Sequence, residues 1–369
     1  MKQAFLNINK INKNNAMHIS SESSKFSFPR ITKLIFPVLL FLLFFACNPR
    51  NKIEKVVNDF PRVDTLRMQD IDIPGILLSP THLFVAKNYL VVYQMERDPY
   101  FYFFDLPSGN FVFSGGNLGQ GPNDFIKPDA RFFYSTENGF KIFENNGNAI
   151  KELEIQDKNL ITVHKEIIKP YQNMAISNLL ILPNHKICYA NTLMGNSEYY
   201  ISDPNGENPQ AIGQFPDWYT KSDEDEMNLF IYIKNEVVNP ANGKFMAFYA
   251  YFRKFRLFDI NGNLLKEVSV NTPGKFPQYT KDRSKSSIAY SFPWTDGTYV
   301  YVICKNKKIA DKKPNRTELQ VWDWDGNPVA QLWLDKPIDY FTISLDYNKL
   351  YAVDSEVENK IYVCDLPLK

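Results

Sequence analysis

From about residue 59 onward the chain alternates apolar and polar residues in short runs, the period-two pattern of half-buried β-strands, with no long stretch of helical periodicity. One string recurs: an aromatic or β-branched run, an aspartate, then a turn rich in glycine or asparagine. It appears as FYFFDLPSGN at Asp105, YYISDPNGE at Asp203, FRLFDINGN at Asp259 and LQVWDWDGN at Asp323, with a shortened copy, IYVCDLP, at Asp365. Asp followed by Asn-Gly or Asp-Gly supplies the positive φ that a tight hairpin needs, so each copy predicts strand, turn, strand. A second hairpin precedes each copy, seen in HLFVAKNYLVVYQ, NLLILPNHKICYA, EVVNPANGKFMAFYA, SIAYSFPWTDGTYVYVIC and FTISLDYNKLYAVD. Two hairpins in series make a four-stranded meander.

The marker aspartates lie 98, 56, 64 and 42 residues apart. The first interval is nearly twice the others, so a degenerate copy belongs between Asp105 and Asp203. RFFYSTENGFKIFENNGNAIKELEI occupies that gap and supplies strands without the Asp-Gly turn. Six four-stranded antiparallel units of this size, arranged radially, predict an all-β, six-bladed β-propeller over residues 59–369. The sixth unit stops after its third strand. The segment Phe60–Met68 is therefore expected to provide the missing outer strand and close the ring.

Upstream lies a different pattern. Leu34–Ala46 is an uncharged apolar run of 13 residues preceded by Lys25, Arg30 and Lys33. A bilayer-spanning helix needs about 20 residues, so the run predicts a removable signal peptide. Ala46-Cys47 has the small-residue–cysteine order of a lipidation site, which makes residues 1–46 a leader, Cys47 the lipid acceptor and residues 47–58 a polar tether. Met17 is an alternative start. The expected location is the cell envelope, lipid-anchored to a membrane; Asn48-Pro49-Arg50-Asn51 carries no acidic residue and points to the periplasmic side of the outer membrane.

Composition narrows the partners. The 42 basic and 41 acidic residues nearly cancel, which argues against nucleic acid. After Cys47 only Cys188, Cys304 and Cys364 remain, each inside an apolar strand run, where a buried thiol behaves as a small hydrophobe. No CxxC or HxxH occurs, so neither a metal nor a cofactor is expected.

At GGNLGQGPNDFIKPDARFF, residues 115–133, Gly119, Gly121, Pro122, Phe125 and Pro128 match the pattern of an NHL-type repeat junction. With the lipoprotein leader, this resembles the six-bladed propeller lipoproteins of Bacteroidota, an NHL- and TolB-like group. The resemblance implies fold and location, and carries no catalytic residue across. The glycines at the junction have a structural explanation too, in close backbone approach, with Phe125 as an anchor over the core. No helix follows them to hold a phosphate.

Candidate chemistry is sparse. Ser222–Glu226 (SDEDE) reads as a solvated acidic loop without the alternation of a calcium loop. The recurring aspartates read as turn formers. His82, His164 and His185 have no nucleophile motif beside them, and no catalytic residue is assigned. Ligands of propellers meet the mouth of the central channel, at the entry to the innermost strands. Those positions are His82, Arg131, Asn178, Glu236, Tyr290 and Tyr340. The aromatic groups Pro216–Tyr219 (PDWY) and Phe292–Thr295 (FPWT) are a second candidate surface. The expected function is a non-enzymatic binding or interaction module for an envelope protein, peptide or carbohydrate. The alternative is a propeller-type hydrolase or lyase, lactonase-like and calcium-dependent, with its site at the channel mouth.

Overall fold

A computed structural model of the chain describes residues 53–367 except 74, 96, 171–175, 192–196, 221–226 and 272–278. Residues 1–52, including the leader and Cys47, and the acidic run Ser222–Glu226 lie outside the described residues, so expectations about them are not addressed structurally.

Strand formation follows the alternation. Three short N-terminal strands come first: β1 (Glu54–Val57), β2 (Val63–Leu66) and β3 (Gln69–Asp72). Blade one is β4 (Pro80–Ala86), β5 (Tyr89–Gln94), β6 (Phe101–Asp105) and β7 (Phe111–Gly115). Blade two is β8 (Pro128–Ser135), β9 (Gly139–Glu144), β10 (Ala149–Gln156) and β11 (Asn159–Ile167). Blade three is β12 (Ile176–Ile181), β13 (Ile187–Asn191), β14 (Ser197–Ser202) and β15 (Gln210–Gln214). A single helical turn, α1 (Asn228–Ile231), leads into blade four, with β16 (Lys234–Val238), β17 (Phe245–Tyr249), β18 (Lys254–Phe258) and β19 (Leu264–Val270). Blade five is β20 (Ser287–Thr295), β21 (Tyr299–Lys308), β22 (Thr317–Asp323) and β23 (Pro328–Leu334). Blade six is β24 (Tyr340–Ser344), β25 (Lys349–Val353) and β26 (Lys360–Asp365), completed by β3. The protein is the expected all-β six-bladed propeller of four-stranded antiparallel blades.

The ring is closed by an N-terminal strand, but not by the expected segment. β3 pairs antiparallel with β26 in the register Ile71 to Ile361, whereas β2, inside Phe60–Met68, runs parallel to β23 along the outer edge of blade five. β1 does the same on β19 of blade four. Leu66 and Met68 are buried with the core between blades five and six, which holds 60–68 on the rim and brings Gln69 to the open edge. The closing strand QDID was missed because its acids mask the pattern; Asp70 is tied to Lys336 at 3.0 Å and Lys360 at 2.7 Å. Glu54–Val57, inside the segment 47–58 expected to be a tether, is strand.

Among the described residues, buried side chains gather into six apolar clusters, one between each adjacent pair of blades. Cys188, Cys304 and Cys364 sit in three of them as free, buried thiols. The marker aspartates cap turns as their spacing implied. Asp259 Oδ1 accepts from the amides of Asn261 (2.9 Å) and Asn263 (2.8 Å), and Asp323 repeats this with Asp325 and Asn327. Gly262 and Gly326, in the same turns, have φ of 81° and 70°. In blade two the corresponding turn is built by Asp157 and Lys158, both at positive φ. At the glycine-rich junction Phe125 is fully buried and Gly121 N–H donates to Asp124 Oδ2 at 2.9 Å, the anchoring role expected of it.

Candidate channel-mouth site

The innermost strands β4, β8, β12, β16, β20 and β24 enter the ring at one end of the central channel. Four of them are irregular at that point. β4 is bulged between Pro80 and His82, β8 between Asp129 and Phe133, β12 between Ser177 and Leu180, and β20 twice, between Ile288 and Tyr290 and between Ser291 and Pro293. A bulge breaks strict alternation and re-aims side chains. Asn178 (φ 51°) and Phe292 (φ 46°) take left-handed conformations there, tolerated by asparagine and strained for phenylalanine.

The mouth opens into a cavity of about 690 Å³, within the usual range for small-molecule sites. His82, Arg131 and Tyr340 line it, joined by Asp129, Asn235, Ser291, Phe292, Lys305 and Asp339. Below it a void of about 40 Å³ is lined by Arg131, Asn178 and Glu236. Five of the six expected mouth residues therefore face the lumen. Tyr290 does not: it is 1% exposed, packed between blades four and five, and its hydroxyl donates to Gln320 Oε1 at 3.2 Å. The double bulge in β20 turns Tyr290 into the core and puts Ser291 and Phe292 in its place.

The other candidates lie elsewhere. Trp218 of PDWY packs between blades three and four and donates to Glu267 at 2.6 Å, and Trp294 of FPWT is tilted against Tyr301 at 5.9 Å; Phe292 reaches the main cavity and Pro293 the void beneath it. His164 is exposed on outermost strand β11, and His185 in the β12–β13 turn, so the three histidines do not converge.

Charge at the mouth is tightly arranged. Arg131 Nε donates to Asp129 Oδ1 (2.9 Å) and Nη2 to Oδ2 (2.6 Å), while Nη1 approaches Asn178 Oδ1 at 3.4 Å. Burial by itself would raise the Asp129 pKa, but the Arg131 bonds outweigh it and hold the carboxyl below its usual range. Asp339 behaves alike: against the upward push of burial, Lys305 (2.8 Å), Lys313 (2.6 Å) and Ser355 keep it well down. His82 lies 4.3 Å from the Phe292 ring and 5.4 Å from that of Tyr340, and burial depresses its pKa to about 3, so it is neutral. Glu236 moves the other way. Burial pushes it up to about 7, against the pull of Lys234, Asn178, Tyr199 and Arg131; its Oε1 accepts from Tyr199 Oη at 2.9 Å. Ser291 Oγ is buried without a hydrogen-bond partner.

Behind Glu236 lies a buried ionic network. Glu198, with no exposed surface, receives Lys234 (3.2 Å), Arg256 (3.1 Å) and the Tyr249 hydroxyl, and Arg256 continues to Glu267 at 3.1 Å. It joins blades three and four under the lumen. Among the described residues no three His, Cys, Asp or Glu side chains gather closely enough to hold one metal ion.

Sequence reasoning missed Asp129, Asp339 and Lys305, and named Phe292 as part of the aromatic surface FPWT rather than of the channel mouth. Asp129 carried a usable signal, since it precedes Arg131 by two residues and such positions share a strand face. The others are assembled from different blades.

A model of the family described as TolB-like 6-blade propeller-like matches residues 75–346, well over half of the chain. No curated relative matches. Among solved structures, a candidate exported protein from Bacteroides fragilis superposes with a TM-score of 0.50 at 11% identity, covering 85% of this chain and 99% of its own. A member of the duf4221 family from Bacteroides vulgatus gives 0.52 at 10% identity, covering 81% and 95%. At such identities the likeness is one of fold.

Proposed function

The chain belongs to the TolB-like six-bladed propeller family, and from that premise we propose that it is a non-enzymatic binding module of the cell envelope, held to the membrane by lipid on Cys47. Its ligand enters the central lumen. The observation that carries this reading is the mouth itself: bulged strands from three blades aim dissimilar side chains into one cavity of about 690 Å³, and a fourth turns Asn178 into the void beneath it. Repetition of blades calls for none of this irregularity, and four local departures at one place are characteristic of a built site. The acids at the mouth are committed to cations, Asp129 to Arg131 and Asp339 to Lys305 and Lys313, an arrangement that fixes geometry and leaves neither carboxyl poised to move a proton. Export fits the apolar run before Cys47 and the Bacteroides fragilis neighbour.

Two experiments test the reading. Ligand-observed NMR against a library of envelope saccharides, peptides and small acids should find binders that are lost in Phe292→Ala; binders that ignore this substitution would place recognition elsewhere. Labelled palmitate should enter the wild-type chain and not Cys47→Ala, and equal labelling of both would remove the anchor.

Glu236 favours a second reading. A carboxyl with a pKa of about 7 beside the lumen suits proton transfer, as in a propeller-type hydrolase or lyase. Substrate turnover abolished by Glu236→Gln with binding intact would select it.

A further inference from the structure

We propose that the ligand of the lumen carries a carboxylate and that Arg131 grips it; this rests on the lumen being the binding site. Arginine offers five N–H groups in a planar fork. Asp129 engages the side-on pair, Nε at 2.9 Å and Nη2 at 2.6 Å. The end-on pair, shared between Nη1 and Nη2, remains, opposed only by Asn178 Oδ1 at 3.4 Å. That pair matches the two oxygens of a carboxylate.

The fork is also held in place. Asp129 is 9% exposed, accepts the backbone N–H of Arg131 at 3.1 Å and meets Asn145 Nδ2 at 3.5 Å, so the guanidinium is oriented before any ligand arrives. The Arg131 side chain nonetheless keeps 54% of its surface open, and it lines both the main cavity and the void beneath. Asp129 and Asn145 are positioning residues.

Charge and shape define the rest of the molecule. Lys127, Arg131 and Lys305 outnumber Asp129 and Asp339 in the wall of the main cavity, a surplus that favours an anion there. His82, Phe292 and Tyr340 form a second wall with ring centroids 4.3 to 5.6 Å apart, suited to a flat or apolar body. The ligand class is a small monocarboxylate with a ring.

The test compares phenylacetate, phenylacetamide and phenyl phosphate by calorimetry on the full chain in detergent. Phenylacetate should bind at least about tenfold more tightly than the amide, the scale of one charge-assisted contact. Arg131→Gln should erase that preference, with a circular dichroism spectrum and thermal midpoint matching wild type to report an intact fold. Arg131→Lys, which keeps the charge and loses the fork, should retain only part of the preference. Phe292→Ala should weaken acid and amide together. Equal affinity for acid and amide, both lost in Phe292→Ala, overturns the carboxylate while the lumen reading stands; so does a preference for phenyl phosphate over phenylacetate. Absence of binding by all three probes, or binding indifferent to Phe292→Ala, overturns both.

Discussion

Replacing Glu236 by glutamine should stabilise the protein at alkaline pH and do little in mild acid. In the unfolded chain this carboxyl titrates near its ordinary 4.5, while the folded protein keeps its proton until about pH 7. The folded state therefore binds more protons between those values, and the stability associated with the protonated carboxyl, full below about 4.5, drains away as pH rises to about 7. At ~1.4 kcal/mol per pH unit the interval amounts to about 3 kcal/mol. Glu236 touches the void of about 40 Å³ below Arg131, room enough for water that screens the charge, so about 2 kcal/mol is the better expectation. Glutamine keeps the acceptor for the Tyr199 hydroxyl and cannot ionise. Urea unfolding at pH 5 and pH 8 reads the difference, and the remaining titrating groups cancel between variants. Glu236→Gln should match wild type within about 1 kcal/mol at pH 5 and exceed it by about 2 kcal/mol at pH 8. A gain equal at both pH values, or a loss at pH 8, would refute the argument that burial holds the proton on Glu236.

Further outcomes follow from the same structure. Glu198→Ala leaves Lys234 and Arg256 buried without their shared anion and should cost about 3–5 kcal/mol in urea unfolding; a loss under about 1 kcal/mol would mean the network relaxes to water. Asp323→Ala removes the acceptor of the Asp325 and Asn327 amides in an exposed turn, and a cost of about 1–2 kcal/mol is expected, with no change ruling out a capping role. Cys188, Cys304 and Cys364 are buried and burial raises all three thiol pKa values, Cys364 to about 12, so a thiol reagent at pH 8 should reach them only after denaturant is added. Rapid native labelling of any of them would contradict the packing between blades.

Much of the architecture was legible because its signals are local. The Asp259 and Asp323 turns close within four residues, so aspartate, asparagine and glycine at fixed offsets disclose them directly. Five mouth residues were found by counting to the start of each inner strand, a position the repeat itself defines. Tyr290 failed because its strand carries two bulges, and nothing in SIAYSFPWT separates a bulged strand from a regular one. The closing strand failed for a related reason: Gln69–Asp72 has one apolar residue, Ile71, among polar ones, and its place is decided by a partner almost 300 residues away.

The sequence by itself determined strand alternation, turn chemistry and a six-fold repeat, since each depends on residues only a few positions apart. The tertiary structure alone decided which charges meet. Asp339 joins Lys305 and Lys313 from the neighbouring blade, and His82 loses its proton affinity to rings contributed by blades five and six. A propeller gathers one short stretch from every blade at its axis. Electrostatics and burial there are set by neighbours distant in the chain, and so they appear only when the ring closes.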